Sequence, residues 1–338
     1  MVRMALIGAG FIGSVHAENL AAHSGVEFVG VYDVDTARST DLATRNLTRA
    51  IDLDAAFASS EVDAVLIASS TDTHADHLRR AAESGLAVLC EKPIDLDLQH
   101  AIDAVGEVGA AGSPMMVDFN RRFDRDYAQL HHAVRAGEIG TVELVQMTTR
   151  GPALPPLDYV AVSGGQMRDQ TVHFFDLARW ITGEDPESVF ATGSVFTDPG
   201  LTDLGDVDTS VVILRIPSGA LVQIDSVRRI GYGYDERIEV LGSDGMIEAG
   251  RQRVGSVTRY RAGSLVTDGM HPGWFGRVAP TYRSALDHFV SAVDSGTPIG
   301  PTLPEALKAQ AIAEAATRSL RSGVPETISY PALSATSI

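Results

Sequence analysis

The chain has 338 residues, of which 44% are hydrophobic and 21% are charged. These values are typical of a globular protein long enough for two domains with their own cores. A net charge of −17 makes nucleic acid and anionic membrane surfaces poor partners. The single cysteine, Cys90, excludes an internal disulfide and a cysteine-rich zinc site, and we expect no metal. No stretch resembles a signal peptide or a membrane span, so we expect a cytoplasmic protein.

The first sixteen residues predict a strand, a glycine-rich turn and the start of a helix. The turn is Gly8-Ala9-Gly10-Phe11-Ile12-Gly13. In a turn of this pattern Gly8 permits the tight bend, Gly10 lets backbone approach a pyrophosphate, and Gly13 lets the helix pack on the strand. The pyrophosphate sits at the helix N-terminus, where free N–H groups and the helix dipole favour an anion. A glycine-rich turn without a ligand is the alternative for the motif alone.

An acid ends the second predicted strand, which covers residues 26–32. Asp33 lies twenty residues beyond Gly13, where a dinucleotide-binding fold places the carboxylate that binds the adenosine ribose. Such a carboxylate accepts hydrogen bonds from a 2′-hydroxyl and repels a 2′-phosphate, and Asp35 adds to that repulsion. Arg38 is the only nearby residue that favours the phosphorylated cofactor. The sequence therefore predicts NAD in preference to NADP.

Strands and helices alternate up to residue 119, which predicts a parallel sheet covered on both faces. The predicted helices are 37–46, 53–58, 73–84 and 97–111, and the further strands are 62–69, 86–90 and 114–119. We therefore expect an α/β protein that begins with an NAD-binding Rossmann domain over residues 1–119.

The pattern changes at residue 120, where long strands with few helices between them begin. The predicted strands are 142–149, 189–196, 209–216, 220–227 and 237–241, and the predicted helices are 126–136, 279–295 and 304–322. Hairpin turns are expected at 217–219 and 243–245. We expect an α/β domain over residues 120–338 with an open, mostly antiparallel sheet. The helices within 279–322 are expected to pack back on the first domain.

Two loops follow strands at the edge of the parallel sheet where ligands bind. In the loop from Ser69 to His74, hydroxyl groups are candidates to line the nicotinamide half of the cofactor, although helix capping by Thr73 is equally open. His74 and His77 lie three residues apart with no third ligand in reach, so exposed or capping histidines are favoured over a metal site.

The second loop, Glu91-Lys92-Pro93, places a lysine directly after a buried strand. Pro93 stiffens the loop, so Lys92 is expected to be held and not free. An ammonium group in the ligand crevice can stabilise developing alkoxide charge. A solvated loop lysine is the alternative.

A predicted helix from Gly164 to Asp176 carries the strongest acid–base pattern. Asp169 and His173 are four residues apart and share a helix face. Apolar neighbours predict that this helix is largely buried. Burial of a polar side chain is costly, so the polar residues of this helix are expected to have a specific role. A histidine beside a carboxylate is a natural proton acceptor near neutral pH. The alternative is a surface pair of acid and histidine.

Together, Gly8-x-Gly10-x-x-Gly13, Glu91-Lys92-Pro93 and Asp169-x-x-x-His173 resemble the glucose–fructose oxidoreductase/inositol dehydrogenase (Gfo/Idh/MocA) family. The resemblance covers almost the whole chain and is most specific for the inositol dehydrogenase branch. The specific stretches are 119–124, the proline-rich 151–159, the helix from Gly164, and Tyr232-Gly233-Tyr234-Asp235.

The resemblance implies an NAD-dependent enzyme, commonly tetrameric, that oxidises a secondary hydroxyl of a cyclitol such as myo-inositol. It implies that Lys92 bonds the reacting oxygen, that His173 takes the hydroxyl proton, and that Asp169 orients the substrate or supports the histidine. The implied cofactor-binding residues are Gly8, Gly10, Phe11, Ile12, Gly13, Asp33, Ser69, Thr71, His74, Glu91, Lys92 and Arg121. The implied substrate-binding residues are Lys92, Asn120, Asp158, Asp169, His173 and Tyr234.

Several alternatives remain open at the level of sequence. Arg121 suits a structural salt bridge as well as a ligand contact, and Tyr234 suits a buried aromatic position. A dehydrogenase acting on a pyranose or anhydrosugar fits the same motifs. A glycosidase that uses NAD transiently, without net redox change, represents a different class. A dinucleotide sensor without turnover is disfavoured by the presence of Lys92, Asp169 and His173 together.

Overall fold

The computed structural model describes residues 1–58 and 60–332, which divide into two units. The first unit contains Met1–Asn120, Thr281–Lys308 and the described residues from Tyr330 onward. The second contains Arg121–Pro280 and Ala309–Ser329.

A five-stranded parallel sheet forms the centre of the first unit. Its strands are β1 (Val2–Ile7), β2 (Val26–Tyr32), β3 (Ala64–Ile67), β4 (Ala87–Cys90) and β5 (Met115–Val117), and the helices between them are α1 (Phe11–Ala22), α2 (Thr36–Arg45), α3 (Leu53–Ala56), α4 (His74–Glu83) and α5 (Leu98–Val108). Every residue of β3 and β4 is buried, which explains their continuous apolar sequences.

The strand order of this sheet is β2-β1-β3-β4-β5. A single parallel bridge from Val31 to Ala50 continues the sheet beyond β2. The order is therefore that of a dinucleotide-binding fold whose third strand is reduced to one residue pair. In such a sheet the ligand crevice lies at the carboxyl ends of the strands, beside β1, where the order reverses.

The second unit contains a seven-stranded sheet and a separate hairpin. Its elements in chain order are α6 (Arg125–Arg135), β6 (Val142–Arg150), α7 (Leu157–Ser163), α8 (Val172–Thr182), β7 (Ser188–Ser194), α9 (Gly200–Asp203), β8 (Thr209–Arg215), β9 (Leu221–Val227), β10 (Asp235–Gly242), β11 (Gly245–Ala249), β12 (Thr258–Arg261), β13 (Ser264–Thr267), α10 (Trp274–Ser295), α11 (Leu303–Ser322) and β14 (Glu326–Thr327). The first part of α10 and the second part of α11 belong to this unit, and the remainder of each belongs to the first unit.

The large sheet has the order β11-β10-β6-β9-β8-β7-β14, and its neighbours are antiparallel except β6 and β9. Hairpins join β8 to β9 and β10 to β11 at the two predicted turns. Burial alternates along β8 and β9, so one face of the sheet is covered and the other is open. The predicted fold class, a parallel Rossmann sheet followed by a mostly antiparallel sheet, is confirmed.

The helices beside the π-helical turn differ from the predicted elements, and α9, β12, β13 and β14 were not predicted. Helix α7 was not predicted, because Pro155 and Pro156 look like a loop although proline is well tolerated at a helix start. The helix predicted from Gly164 begins later, because Gly164 and Gly165 adopt left-handed conformations with φ of 82° and 84°. A π-helical turn at Met167–Thr171 then leads into α8.

None of the helices in the described part of the chain is both long enough and apolar enough to cross a membrane.

A buried ion pair fixes α8 to the segment that precedes α6. Arg122 donates from Nε and Nη2 to the two carboxylate oxygens of Asp176, at 2.7 Å and 2.6 Å. The side chains are only 8% and 1% exposed. A buried charge that loses its partner is strongly destabilising, because water cannot replace the lost interaction.

We expect Arg122→Leu to lower the free energy of unfolding by about 3–5 kcal/mol, because it leaves the buried Asp176 carboxylate without this partner. The matched control is Arg45→Leu, which removes an exposed pair with Asp41 and is expected to cost less than about 1 kcal/mol. Urea denaturation followed by circular dichroism measures both values. Equal losses in the two variants would contradict the assigned role of the buried pair.

Candidate active site

The glycine turn has the geometry that a dinucleotide pyrophosphate requires. Gly8 has φ of 107°, and a Cβ added there would overlap the backbone of Ala68. A Cβ on Gly13 would overlap the carbonyl group of Gly8, so the helix and strand touch through their backbones. Gly10 faces open space, and α1 begins immediately after it with no acid in its first turn. This helix N-terminus is therefore accessible and favourable to an anion.

Asp33 is held beside that turn by two backbone groups. Its carboxylate accepts hydrogen bonds from the N–H of Ala9 at 2.6 Å and from the N–H of Asp35 at 2.8 Å. Arg38, the one nearby cation that would favour a 2′-phosphate, forms an exposed ion pair with Asp35 at 3.2 Å. The carboxylate thus stands at the end of β2, ready to accept a ribose hydroxyl.

The Ser69 loop is held by its own hydroxyl groups. The hydroxyls of Ser69 and Thr73 are 2.7 Å apart, and Thr73 also donates to the carbonyl of Ser70 at 2.8 Å. The suggested capping role of Thr73 is wrong, because α4 has no side-chain cap bond. Thr71 begins the short 3₁₀ turn between these residues.

The interpretation of His74 and His77 as exposed or capping residues is also wrong. His74 is 1% exposed, and its two ring nitrogens face the carbonyl oxygens of Pro93 (2.8 Å) and Ser69 (3.1 Å). His77 lies against Phe57 with ring centroids 6.0 Å apart. Burial, followed by the charges of His74 and Arg80, lowers the pKa of His77 to about 4.

The residues that flank Lys92 are held firmly. The N–H of Glu91 donates to the carbonyl of Ile67 at 2.9 Å, and the Glu91 carboxylate lies 2.8 Å from His16 Nε2. The peptide bond from Lys92 to Pro93 is cis. Cys90 is fully buried, as predicted, and this burial raises the pKa of its thiol well above the ordinary value.

Among the described residues, one group has donor atoms close enough to hold a metal ion: His16, Glu91 and Asp118, within 4.8 Å of one another. The 2.8 Å separation of His16 Nε2 and Glu91 Oε1 is that of a hydrogen bond. It is shorter than the roughly 3.3 Å between two ligands of a tetrahedral zinc ion. The sequence analysis did not single out His16, because its partner lies 75 residues away. Asn120, the last residue of the Met1–Asn120 part of the first unit, is also buried.

In the second unit, Asp169 lies in the π-helical turn and His173 lies in the first turn of α8, where it is 8% exposed. Tyr159 on α7 donates its hydroxyl proton to Asp169 at 3.1 Å. Desolvation of that hydroxyl, followed by the charge of Asp169, raises the pKa of Tyr159. Tyr159 is a candidate site residue that the sequence analysis missed, because α7 itself was not predicted.

Two glutamines attach the π-helical turn to the large sheet. Gln166 donates to the carbonyl of Asp208 at 3.1 Å and accepts from Ser210 at 2.7 Å. Gln170 donates to the carbonyl of Thr149 at 3.2 Å. Asp169 is therefore carried on a rigidly anchored segment. A π-helical turn of this kind is frequent at functional sites.

Tyr234 is 5% exposed, and its hydroxyl donates to Glu236 at 2.6 Å while it accepts from Arg121 at 3.2 Å. Tyr234 would have to break the bond to Glu236 before it could donate to a substrate hydroxyl. Arg121 also pairs with Glu236 at 3.2 Å, so the structural salt bridge is the interaction seen here. Asp158 is exposed in the first turn of α7, where it accepts the N–H of Tyr159.

The parallel strand order, the backbone contact at the glycine turn and the acid at the end of β2 define an oxidoreductase domain that binds NAD in a Rossmann fold. Residues 2–119 match the family model described as an oxidoreductase family with an NAD-binding Rossmann fold. Residues 127–248 match the GFO/IDH/MocA C-terminal domain. The chain belongs to the GFO/IDH/MocA family.

Relatives of this chain with assigned names cover nearly its whole length. An inositol 2-dehydrogenase of Rhizobium meliloti is 40% identical over 94% of this chain and 97% of its own. A myo-inositol 2-dehydrogenase of Thermotoga maritima is 39% identical over 94% of this chain and 96% of its own. The crystal structure of a myo-inositol dehydrogenase from Corynebacterium glutamicum has a TM-score of 0.92 at 36% identity, covering 98% of this chain and 100% of the other.

We expect Asp33→Ser to reduce the preference for NAD, because serine neither binds the ribose diol as strongly nor repels a 2′-phosphate. The measurement is kcat/KM with NAD and with NADP for the wild type and the variant. The wild type should prefer NAD, and the ratio of the two values should fall in Asp33→Ser. An unchanged ratio would show that Asp33 does not select the cofactor.

Proposed function

We propose that this protein oxidises a secondary hydroxyl group of a cyclitol with NAD, converting myo-inositol to 2-keto-myo-inositol. The observation that carries the proposal is the state of the arginines around Asp169 and His173. Arg121 pairs with Glu236, Arg122 with Asp176, and Arg168 donates from two nitrogens to Glu314. The guanidinium group of each of these three arginines is therefore already bound to a carboxylate of the chain.

A site of this kind suits a neutral molecule with many hydroxyl groups. A 2-hydroxy acid would call for a free arginine to bind its carboxylate in a bidentate manner. The groups offered by Asp169, Tyr159 and Asp158 exchange hydrogen bonds with hydroxyls instead. The named relatives at 40% and 39% identity are inositol dehydrogenases, which supports a cyclitol over other polyols.

The proposed chemistry needs a group that holds the reacting oxygen, a base and a hydride acceptor. Lys92 would donate a hydrogen bond to the reacting oxygen and stabilise negative charge as it develops. His173 would accept the hydroxyl proton, and Asp169, bonded to Tyr159, would orient a neighbouring substrate hydroxyl. Bound NAD would supply the hydride acceptor, so that loss of the hydride and of the hydroxyl proton would leave the ketone.

We further propose a cytoplasmic homotetramer that uses the open face of the large sheet. Val211, Leu221, Leu241 and Met246 point to that face and are 38%, 42%, 40% and 52% exposed. Apolar side chains grouped on an open sheet are typical of a surface that is covered by another subunit. Apart from other copies of the chain, the expected partners are a small polyol and NAD. The net charge of −17 disfavours nucleic acid and membranes.

A comparison of substrates tests the proposal directly. We expect NAD reduction with myo-inositol at a higher kcat/KM than with scyllo-inositol, D-chiro-inositol, glucose, xylose or a 1,5-anhydrosugar. A site that binds hydroxyls should discriminate among stereoisomers, because a misplaced hydroxyl leaves buried groups unpaired. If a pyranose exceeds every inositol, the cyclitol assignment is wrong. If no polyol reduces NAD, the alternative of a glycosidase with transient redox chemistry gains support.

Substitution of the proposed catalytic residues tests the mechanism. A positioned acid–base group contributes about 10²–10⁴-fold, so Lys92→Ala and His173→Ala should each lower kcat by that order while calorimetry still detects NAD binding. His132→Ala, at an exposed position of α6, is the control and should retain full turnover. Turnover near that of the wild type in Lys92→Ala or His173→Ala would remove that residue from the mechanism.

A further inference from the structure

Each neighbour of Lys92 in the sequence is held by a buried histidine. Glu91, on one side, has its carboxylate 2.8 Å from Nε2 of His16, a residue of α1 with no exposed surface. Pro93, on the other side, has its carbonyl oxygen 2.8 Å from Nδ1 of His74, at the start of α4. The two histidines belong to different helices and neither was assigned this role by the sequence.

Both ring nitrogens of His74 face backbone carbonyl oxygens. Carbonyl oxygens only accept hydrogen bonds, and His74 faces one at Pro93 and another at Ser69. His74 thus ties together the loops that follow β3 and β4. The first of these loops is expected to line the nicotinamide half of the cofactor, and the second contains Lys92.

The contacts of His16 require its Nε2 to carry a proton. The carboxylate of Glu91 accepts at 2.8 Å, and that of Asp118, at the end of β5, lies 3.8 Å from the same nitrogen. The ring of Tyr282 packs edge-on at 5.4 Å. Since α1 is the helix that follows the glycine turn, His16 connects the pyrophosphate-binding segment to the residue before Lys92.

We propose that His16 and His74 are positioning residues that fix the backbone on both sides of Lys92 and so set where its ammonium group can reach. This inference rests on the proposed role of Lys92. A lysine side chain is long and flexible, so its placement depends on a fixed backbone at its base. Displacement of a catalytic group by about 1 Å can cost as much as 10²-fold in rate.

Amide substitutions separate the two bonds of His74. The amide nitrogen of asparagine lies near the position of Nδ1, and that of glutamine lies near Nε2, so each variant keeps one donor. His74→Gln should lose the Pro93 bond and lower kcat by about 10- to 100-fold with little change in the KM for NAD. His74→Asn should keep the Pro93 bond and most of kcat, while loss of the Ser69 bond raises the KM for NAD. Identical effects of the two variants on both parameters would overturn the proposal for His74.

A second pair of variants tests the bond between His16 and Glu91. His16→Gln keeps a donor toward Glu91 and should retain most of kcat, whereas His16→Leu removes it and should lower kcat by about 10- to 100-fold. If His16→Leu does not fold, Glu91→Ala removes the same bond from its other end and should show the same loss of kcat. His100→Gln, at an exposed position of α5, is the control and should resemble the wild type. Equal rates in His16→Gln and His16→Leu would overturn the proposal for His16.

Combining these variants with Lys92→Ala shows whether they act through Lys92. In that background His16→Leu and His74→Gln should lower the residual rate no further, because the group that they position is gone. Additive losses would overturn the proposal. Full activity of Lys92→Ala alone would instead reject the proposed function of Lys92. One equivalent of tightly bound metal that disappears in His16→Leu would overturn the positioning role and identify His16, Glu91 and Asp118 as a metal site.

Discussion

The backbone contact between Gly8 and Gly13 is the constraint on which the first unit depends. A side chain at either position would overlap backbone, so α1 can begin directly after β1 only with glycine at both. That start brings the N–H of Ala9 to Asp33 and places His16 within 2.8 Å of Glu91. One close approach thus sets the anion-binding helix terminus, the acid for the ribose and one support of the Lys92 loop.

In the second unit the organising interaction is the pairing of buried charge. A guanidinium group removed from water is costly unless a carboxylate and further hydrogen bonds replace the solvent. Arg121 and Arg122 are buried and each is bonded to a buried acid, Glu236 or Asp176. Arg122 attaches α8 to the segment that follows residue 120. Arg121 attaches β10 and the preceding Tyr234 to the same segment. The two pairs also neutralise two guanidinium charges within this unit.

Sequence reasoning placed correctly those segments whose position depends on local spacing. The glycine turn, Asp33 and the Lys92 loop each follow a buried strand directly, so the pattern of strands was enough to place them. It failed where a role depends on a distant partner. His74 has its ring between carbonyl oxygens of Ser69 and Pro93, and the latter is 19 residues away in the loop that follows β4. Tyr159 reaches Asp169 only because an unpredicted helix follows Pro156.

The π-helical turn shows that backbone geometry, too, can depend on contacts distant in the sequence. A spacing of four residues between Asp169 and His173 suggested a regular helix with both on one face. The left-handed Gly164 and Gly165 delay the helix, and Gln166 then bonds to Asp208 more than forty residues further along the chain. The sequence correctly indicated a helix, but the geometry of its first turn depends on contacts with the sheet, which are distant in the sequence.

The net charge of the protein and the local charge at the N-terminus of α1 act in opposite directions on an anionic dinucleotide. A chain with a formal charge of −17 repels an anionic dinucleotide at long range, yet the repulsion is screened beyond about 8 Å at physiological ionic strength. Within that distance the N-terminus of α1 offers free N–H groups and the positive end of its dipole, with no acid in the first turn. Backbone whose geometry the glycines fix therefore favours an anion at this helix terminus, beside the Asp33 carboxylate. A neutral polyol does not experience the net charge, so in the proposed mechanism its recognition depends on the placement of the side chains of Lys92, Asp169 and His173.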